Sequence, residues 1–263
     1  MGLKFILEAA GKTDIGLARE HNEDYYAIEG KQCLFIVADG LGGHEAGEIA
    51  SKLATDAILN FFQKIPEKDD LKESVIADKI NEAIQTAHKI ILEASLKDVS
   101  LKKMGTTIVL ALWQPPDIFH IANVGDSRAY LIRNQKIGLL SHDHSLITQL
   151  VEQGEITLEE ARKHRLRNVV TQALGIELST KCYYRKIKVK SADKIILCSD
   201  GLYDMLSDDN IKNIVINEGQ SERICRNLID AAKENGGKDN ITIISISIKE
   251  RHNKMSNNTV NNS

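Results

Sequence analysis

Val37-Ala38-Asp39-Gly40-Leu41-Gly42-Gly43-His44 places one carboxylate at the end of an apolar run and follows it with three glycines. Cys33 to Ala38 reads as a buried strand and Glu45 to Phe62 as a helix. The glycines therefore mark a chain reversal that brings backbone carbonyls close to whatever Asp39 holds. A carboxylate beside bare backbone is one way to build a divalent-metal ligand pair. The same residues also suit a tight strand-to-helix turn with an acidic helix cap, and this stretch alone leaves both readings open.

Upstream, residues 3 to 10 read as a short strand. Lys12 to Asp24 reads as a polar connection carrying Gly16, Arg19, Asn22, Glu23 and Asp24. Tyr25 to Ile28 then pairs with Cys33 to Ala38 as a hairpin through Glu29-Gly30-Lys31, which delivers Asp24 and Asp39 to one sheet edge. Downstream, the first helix has Ile49, Leu53, Ala57 and Phe61 on one row and Ala50, Ala54, Ile58 and Phe62 on the next. A second long helix carries Ile76, Ile80, Ala83, Ile84, Ala87, Ile90, Ile91 and Ala94 at three-four spacing, and it is expected beside the first on a sheet.

From Thr106 the period becomes that of strands. Thr107 to Trp113, Ile118 to Val124, Ala129 to Arg133 and Lys136 to Leu140 read as an antiparallel meander. Ser145 to Gly154 and Thr157 to His164 are short polar helical pieces, an insertion that lies across the surface. Strands return at Tyr183 to Val189 and Lys194 to Ser199, helices at Asp208 to Ile216 and Ser221 to Glu234, and a closing strand at Ile241 to Lys249. That strand alternates Ile with Ser or Thr, which predicts one buried face. The tail from Arg251 to Ser263, rich in Asn and Ser, reads as disordered. The order of elements predicts an α+β fold, a four-layer α-β-β-α sandwich in which two packed antiparallel sheets are flanked by helix pairs. Residues 1–250 form one domain in this reading.

Composition narrows the function. A length of 263 residues with 42% hydrophobic content suits one large core. The net charge of -3 supplies no general attraction for nucleic acid. No apolar run approaches the length that spans a bilayer, and Phe5-Ile6-Leu7 is interrupted too early for a signal peptide. Cys33, Cys182, Cys198 and Cys225 show no C-x-x-C spacing, as expected in a reduced, cytoplasmic setting.

Four further acidic turns share the design of the one at Asp39: Glu23-Asp24, Val124-Gly125-Asp126-Ser127-Arg128, Cys198-Ser199-Asp200-Gly201 and Gly236-Gly237-Lys238-Asp239-Asn240. Each alone suits a solvated turn. Five of them at sheet edges are harder to explain separately, because clustered like charges repel unless a cation neutralises them. Oxygen ligands without Cys or clustered His suit magnesium or manganese rather than zinc.

Arg19-Glu20-His21-Asn22-Glu23-Asp24, Val37 to Gly43, Met104-Gly105-Thr106-Thr107, Val124 to Arg128, Asp143-His144-Ser145, Thr171-Gln172-Ala173-Leu174-Gly175, Cys198 to Leu202 and Gly237 to Asn240 occur in an order that resembles the PPM, or type 2C, metal-dependent serine/threonine protein phosphatases, bacterial branch. The resemblance runs from about residue 11 to residue 248. It implies two core Mn2+ or Mg2+ ions bridged by Asp39, with the Gly40 carbonyl serving one ion and Asp200 and Asp239 the other. Glu23 and Asp24 would contribute directly or through water, and Asp126 would share Asp200 with a third ion. Arg19 would grip the substrate phosphate, and the implied nucleophile is a hydroxide bridging the metals. Phosphate monoesters hydrolyse so slowly unaided that enzymes supply up to about 10²¹-fold, so such a site must both make a nucleophile and spread phosphoryl charge.

Two positions depart from the family pattern. The histidine proposed as general acid in the eukaryotic branch is replaced by Leu41, which leaves His44 and His21 as candidates beside metal-bound water. Lys163-His164-Arg165 lacks the proline common after that histidine in bacterial relatives. The insertion from Ser145 to Asn168 resembles their flap, and His164 and Arg165 at its basic end are candidate contacts for phosphopeptide flanks. The implied partners are phosphorylated proteins and an opposing Ser/Thr kinase, with no nucleic acid and no membrane, the chain acting as a monomer. The competing readings are a catalytically poor phosphoprotein-binding module and a hydrolase of small phosphate esters.

Overall fold

The computed structural model describes residues 5–43, 45–65, 71–176 and 179–251. His44 and the tail from 252 onward lie outside them. One sheet contains β1 (Phe5–Asp14), β7 (Arg128–Arg133), β8 (Lys136–Leu139), β10 (Lys194–Cys198) and β11 (Ile241–Glu250), in the order β1-β11-β10-β7-β8. The other contains β2 (Asp24–Glu29), β3 (Leu34–Leu41), β5 (Ile108–Gln114), β6 (Ile118–Val124) and β9 (Tyr183–Lys188), in the order β2-β3-β5-β6-β9, with β4 (Gly105–Thr106) paired to the end of β3. These pairings are antiparallel.

Three apolar layers hold this arrangement together. Alternate residues of β3 serve two of them: Leu34, Ile36 and Ala38 face α1 (Glu45–Gln63) and α2 (Glu73–Lys97), while Phe35 and Val37 face the other sheet. Ile195, Leu197, Ile244, Ile246 and Ile248 answer from across the gap between the sheets. The third layer packs Ile196, Cys198, Ile241 and Ile243 against α5 (Asp200–Tyr203), α6 (Asp208–Asn217) and α7 (Ser221–Glu234). The four-layer α-β-β-α order follows, as the sequence predicts. Among the described residues no helix is long and apolar enough to cross a membrane.

Three expectations need correction. β5 and β6 pair in one sheet while β7 and β8 pair in the other, so the four strands are not a meander. The chain changes sheets at Gly125, whose φ of +94° belongs to the left-handed region, and a Cβ there would meet the Thr107 side chain at 2.7 Å. β11 is buried on both faces through Ile248, because Ile244, Ile246 and Ile248 face the other sheet while Ile241, Ile243 and the serine hydroxyls are covered from the helix side. Ser247 and Ser221 at the start of α7 exchange a hydrogen bond at 3.1 Å. β1 continues to Asp14, its ladder with β11 running from Phe5↔Glu250 to Asp14↔Ile241.

The insertion holds α3 (Leu146–Glu152), capped by Ser145, and α4 (Leu158–Lys163), whose Thr157 and Glu160 form a capping box. Its neck is closed by a bridge between Ser145 and Val170, with the Thr171 N–H donating to the His144 carbonyl.

Candidate active site

Asp24 opens β2 and Asp39 lies near the end of β3, and the two are direct Cα partners in the ladder. The Asp39 backbone is held on both sides. Its N–H donates to Thr107 Oγ1 at 3.1 Å, and its carbonyl accepts from the Thr107 N–H at 2.8 Å and from Thr106 Oγ1 at 2.9 Å. The two threonines, part of a motif to which the sequence assigned no role, thus anchor the central acid.

The glycines that follow permit close backbone contact. A Cβ on Gly40 would lie 2.2 Å from the Gly47 carbonyl oxygen and 2.6 Å from that of Glu23. One on Gly47 would lie 1.8 Å from Glu23 Oε2. The first turn of α1 can therefore sit against both Gly40 and the Glu23 carboxylate. Ser51 Oγ and the Gly40 N–H both donate to the Glu23 carbonyl.

Asp200 begins α5 and Asp239 immediately precedes the residue before β11. Asn240, which sequence reasoning passed over, ties this end of the chain to the beginning. Its Nδ2 donates to the carbonyls of Ile15 and His21, both at 3.0 Å, and its Oδ1 accepts from the Glu23 N–H at 2.8 Å. His21 is exposed, and its backbone carbonyl takes part in this knot. The Arg19 guanidinium donates to Asp239 Oδ2 at 2.6 Å. This hydrogen bond is the main reason that Arg19 holds its proton more tightly than usual.

The electrostatics mark the acids as one cluster. Burial, then the charge of Asp24, then those of Asp200, Asp126 and Asp239, push the Asp39 carboxyl well above the usual carboxylate range. Burial and then Asp126 do the same to Asp200. Asp24 is pushed up to about 6 by burial, against a hydrogen bond from Ser199 Oγ to its Oδ2. Asp126 is likewise pushed up to about 6 by burial and by Asp143.

Five carboxylates thus sense one another at one edge of the sandwich, and the donor set is all oxygen. Among the described residues no three acidic, histidine or cysteine side chains close tightly enough to chelate one ion as placed. Asp239 is turned to Arg19 and Asp24 to Ser199. Asp24 Oδ1, however, is buried without a hydrogen-bond partner, an acceptor that a cation or a proton would satisfy. The donors therefore fit hard divalent ions in type and charge.

Beside Asp126 a cavity of about 770 Å³ runs between the insertion and α5, lined by Arg128, Ile147, Val151, Arg167 and Tyr203 among others. His164 and Arg165 do not line it. His164 ends α4 and its Nδ1 accepts from the Leu166 N–H, while Arg165 is exposed. Asn168 fastens the far end of the insertion to Asp204 at 3.1 Å.

The family model described as Protein phosphatase 2C matches residues 18–241, and the chain belongs to that family. Its curated relatives include the serine/threonine phosphatase stp of Listeria monocytogenes, 34% identical over 241 residues, which cover 90% of this chain and 94% of that one. Among solved structures, serine/threonine phosphatase Stp1 from Staphylococcus aureus superposes with a TM-score of 0.86 at 34% identity, covering 95% of this chain and 98% of that one. The catalytic domain of serine threonine protein phosphatase PstP, solved in complex with two manganese ions, gives a TM-score of 0.79 at 30% identity, covering 94% of this chain and all of that one.

Proposed function

We infer that the chain is a metal-dependent protein serine/threonine phosphatase that hydrolyses phosphoserine and phosphothreonine on proteins. The observation that carries this reading is the convergence of Asp24, Asp39, Asp126, Asp200 and Asp239, with Arg19 at their rim, in a chain of the protein phosphatase 2C family. Asp39, the Gly40 carbonyl, Asp200 and Asp239 would hold two core ions, Glu23 and Asp24 would contribute directly or through water, and Asp126 would share Asp200 with a third. When bound, the ions lower the pKa of water towards neutrality and neutralise charge on the phosphoryl oxygens. Manganese and magnesium both suit the all-oxygen donor set.

The chain's own groups do the rest. Thr106 and Thr107 fix the backbone of Asp39, so its carboxylate does not retreat from its neighbours. Arg19 leaves Asp239 and turns its planar fork to two phosphoryl oxygens, a geometry that lysine cannot copy. The proton for the leaving alkoxide comes from His44, His21 or water at the site. Asn240 keeps the segment bearing Arg19 and Glu23 in register with Asp239. Phosphoproteins are the substrates, a Ser/Thr kinase is the opposing enzyme, and the protein acts as a monomer without nucleic acid or membrane. The spacing of Cys33, Cys182, Cys198 and Cys225, with no C-x-x-C pair, supports a reduced, cytoplasmic location.

Turnover of a phosphothreonine peptide with added manganese, abolished by chelator and restored by excess metal, is the expected result. Metal-independent turnover would overturn the reading, and binding of the peptide without turnover would favour the phosphoprotein-binding alternative.

A further inference from the structure

Arg128 is more heavily engaged than its motif requires. Its Nε donates to Asp143 Oδ2 at 2.9 Å and its Nη2 to the same oxygen at 2.6 Å, with Oδ1 3.2 Å from Nε. Nη1 donates to the Tyr130 hydroxyl at 2.9 Å. The guanidinium carbon lies 3.7 Å from the centroid of the Tyr203 ring, so the plane is stacked as well as bonded. The Tyr203 hydroxyl then donates to the backbone carbonyl of Asp126 at 3.0 Å.

These contacts join three pieces of chain. Asp143 stands two residues before the cap of α3, at the neck of the insertion; Tyr203 ends the short helix that Asp200 begins; Asp126 belongs to the turn where the chain changes sheets. That turn is also held by His144, whose Nδ1 accepts from the Gly125 N–H and whose own N–H donates to the Gly125 carbonyl. The turn is thereby clamped between His144 and Tyr203. Asp126 and Asp200, the two acids on the clamped turn and on the helix of Tyr203, repel each other when charged and separate unless their backbones are fixed.

We propose that Arg128 and Tyr203 are positioning residues, a stacked strut that sets the spacing between Asp126 and Asp200 and so shapes the outer cation site those two acids share. This rests on the assignment of Asp126 and Asp200 as ligands. Arg128 touches neither carboxylate by hydrogen bond; it orients the Tyr203 ring, and the ring's hydroxyl locates the Asp126 backbone. Lysine would keep the charge and lose both the fork and the stack. Phenylalanine at 203 would keep the stack and lose only the hydroxyl.

The test is manganese binding by titration calorimetry on the full chain, with kcat and KM measured at limiting and saturating manganese. Tyr203→Phe is expected to weaken the loosest manganese site about five-fold, the worth of one neutral hydrogen bond, while the tighter sites keep their affinity. Its kcat should fall at limiting manganese and recover at saturation, with KM for an aryl phosphate unchanged. Arg128→Lys should weaken the same site further. Asp126→Asn is the reference variant and should abolish that site. Loss of the site in Asp126→Asn with parental binding in Tyr203→Phe and Arg128→Lys overturns the strut while leaving the ligand assignment standing. Parental binding in all three removes the assignment of Asp126 and the strut with it. A lowered melting temperature with unchanged manganese binding reduces Arg128 to a structural ion pair and also overturns the proposal.

Discussion

Asp24 and Asp39 face each other as Cα partners across the β2–β3 ladder, so two carboxylates are built into adjacent strands with no residue between them. Asp24 is 5% exposed, and water does little to soften that pairing. Raised carboxyl pKa values give the native state more bound protons than the unfolded chain, and stability must then fall as pH rises through the window between the two values. For Asp24 and Asp126 that window runs from the ordinary carboxyl value of 3.8 to about 6, and Asp39 and Asp200 are raised in the same direction. The melting temperature in chelator should decline across this range relative to that with manganese. We expect the gap to widen by about 3 °C or more between pH 4 and 6. A gap independent of pH would show that the acids do not titrate as one cluster.

Asp239→Asn removes one anion from the cluster and keeps the side chain's shape. Turnover should fall by at least about 100-fold, the scale seen when a single electrostatic partner of the reaction is removed. The circular dichroism spectrum should be unchanged, and the melting temperature in chelator equal to or above the parent's, because repulsion is relieved. Activity within about two-fold of the parent would exclude Asp239 from the site.

Arg19 is half exposed and bonded to Asp239, so its removal should cost little stability. Arg19→Ala should raise KM for phosphopeptide about ten-fold or more and change manganese affinity far less. A large loss of manganese binding in calorimetry would instead make Arg19 an organiser of the acids.

Two glycines separate folding from function. Gly40→Ala drives a Cβ into the rigid carbonyls of Gly47 and Glu23 and should destabilise the protein by about 3 kcal/mol in urea titration. Gly47→Ala meets chiefly the movable end of the Glu23 side chain, with the Gly40 backbone carbon next at 3.0 Å, and a helical glycine is itself unfavourable by about 1 kcal/mol, which offsets that crowding. That variant should stay near parental stability and lose activity as the Glu23 carboxylate is displaced.

In the insertion, His164→Ala and Arg165→Ala should change the preference among phosphopeptides and leave hydrolysis of a small aryl phosphate unchanged. Equal losses on both substrate types would place them in folding or chemistry, and no loss on either would leave them on a plain surface. Their positions outside the cavity beside Asp126 make any effect one of peptide flanks.

The layers and the acids were legible because their signals are local. The rows of α1, the alternation in β3 and an Asp next to Gly at the turns of Asp39, Asp126 and Asp200 are all visible within a few residues. What escaped depends on partners far away in sequence. Nothing near Asn240 tells that its amide will meet Ile15 and His21, more than two hundred residues earlier. The change of sheet at Gly125 was hidden because strands of the same period follow one another on both sides of it, and periodicity does not say which sheet a strand joins. The buried serines of β11 misled for a related reason: a hydroxyl reads as solvent-facing until the helix that covers it is known.

The placement of β11 ties the two ends of the described chain into one closure. Residues 241–250 fill a central slot between β1 and β10, and β1, made first, has no ladder partner in its own sheet until they emerge. Asn240, synthesised just before them, is also what fastens the Arg19 segment. Without this strand neither the sheet nor the Arg19 segment is closed, so the fold's longest-range pairing and the ordering of the acid cluster belong to one closure.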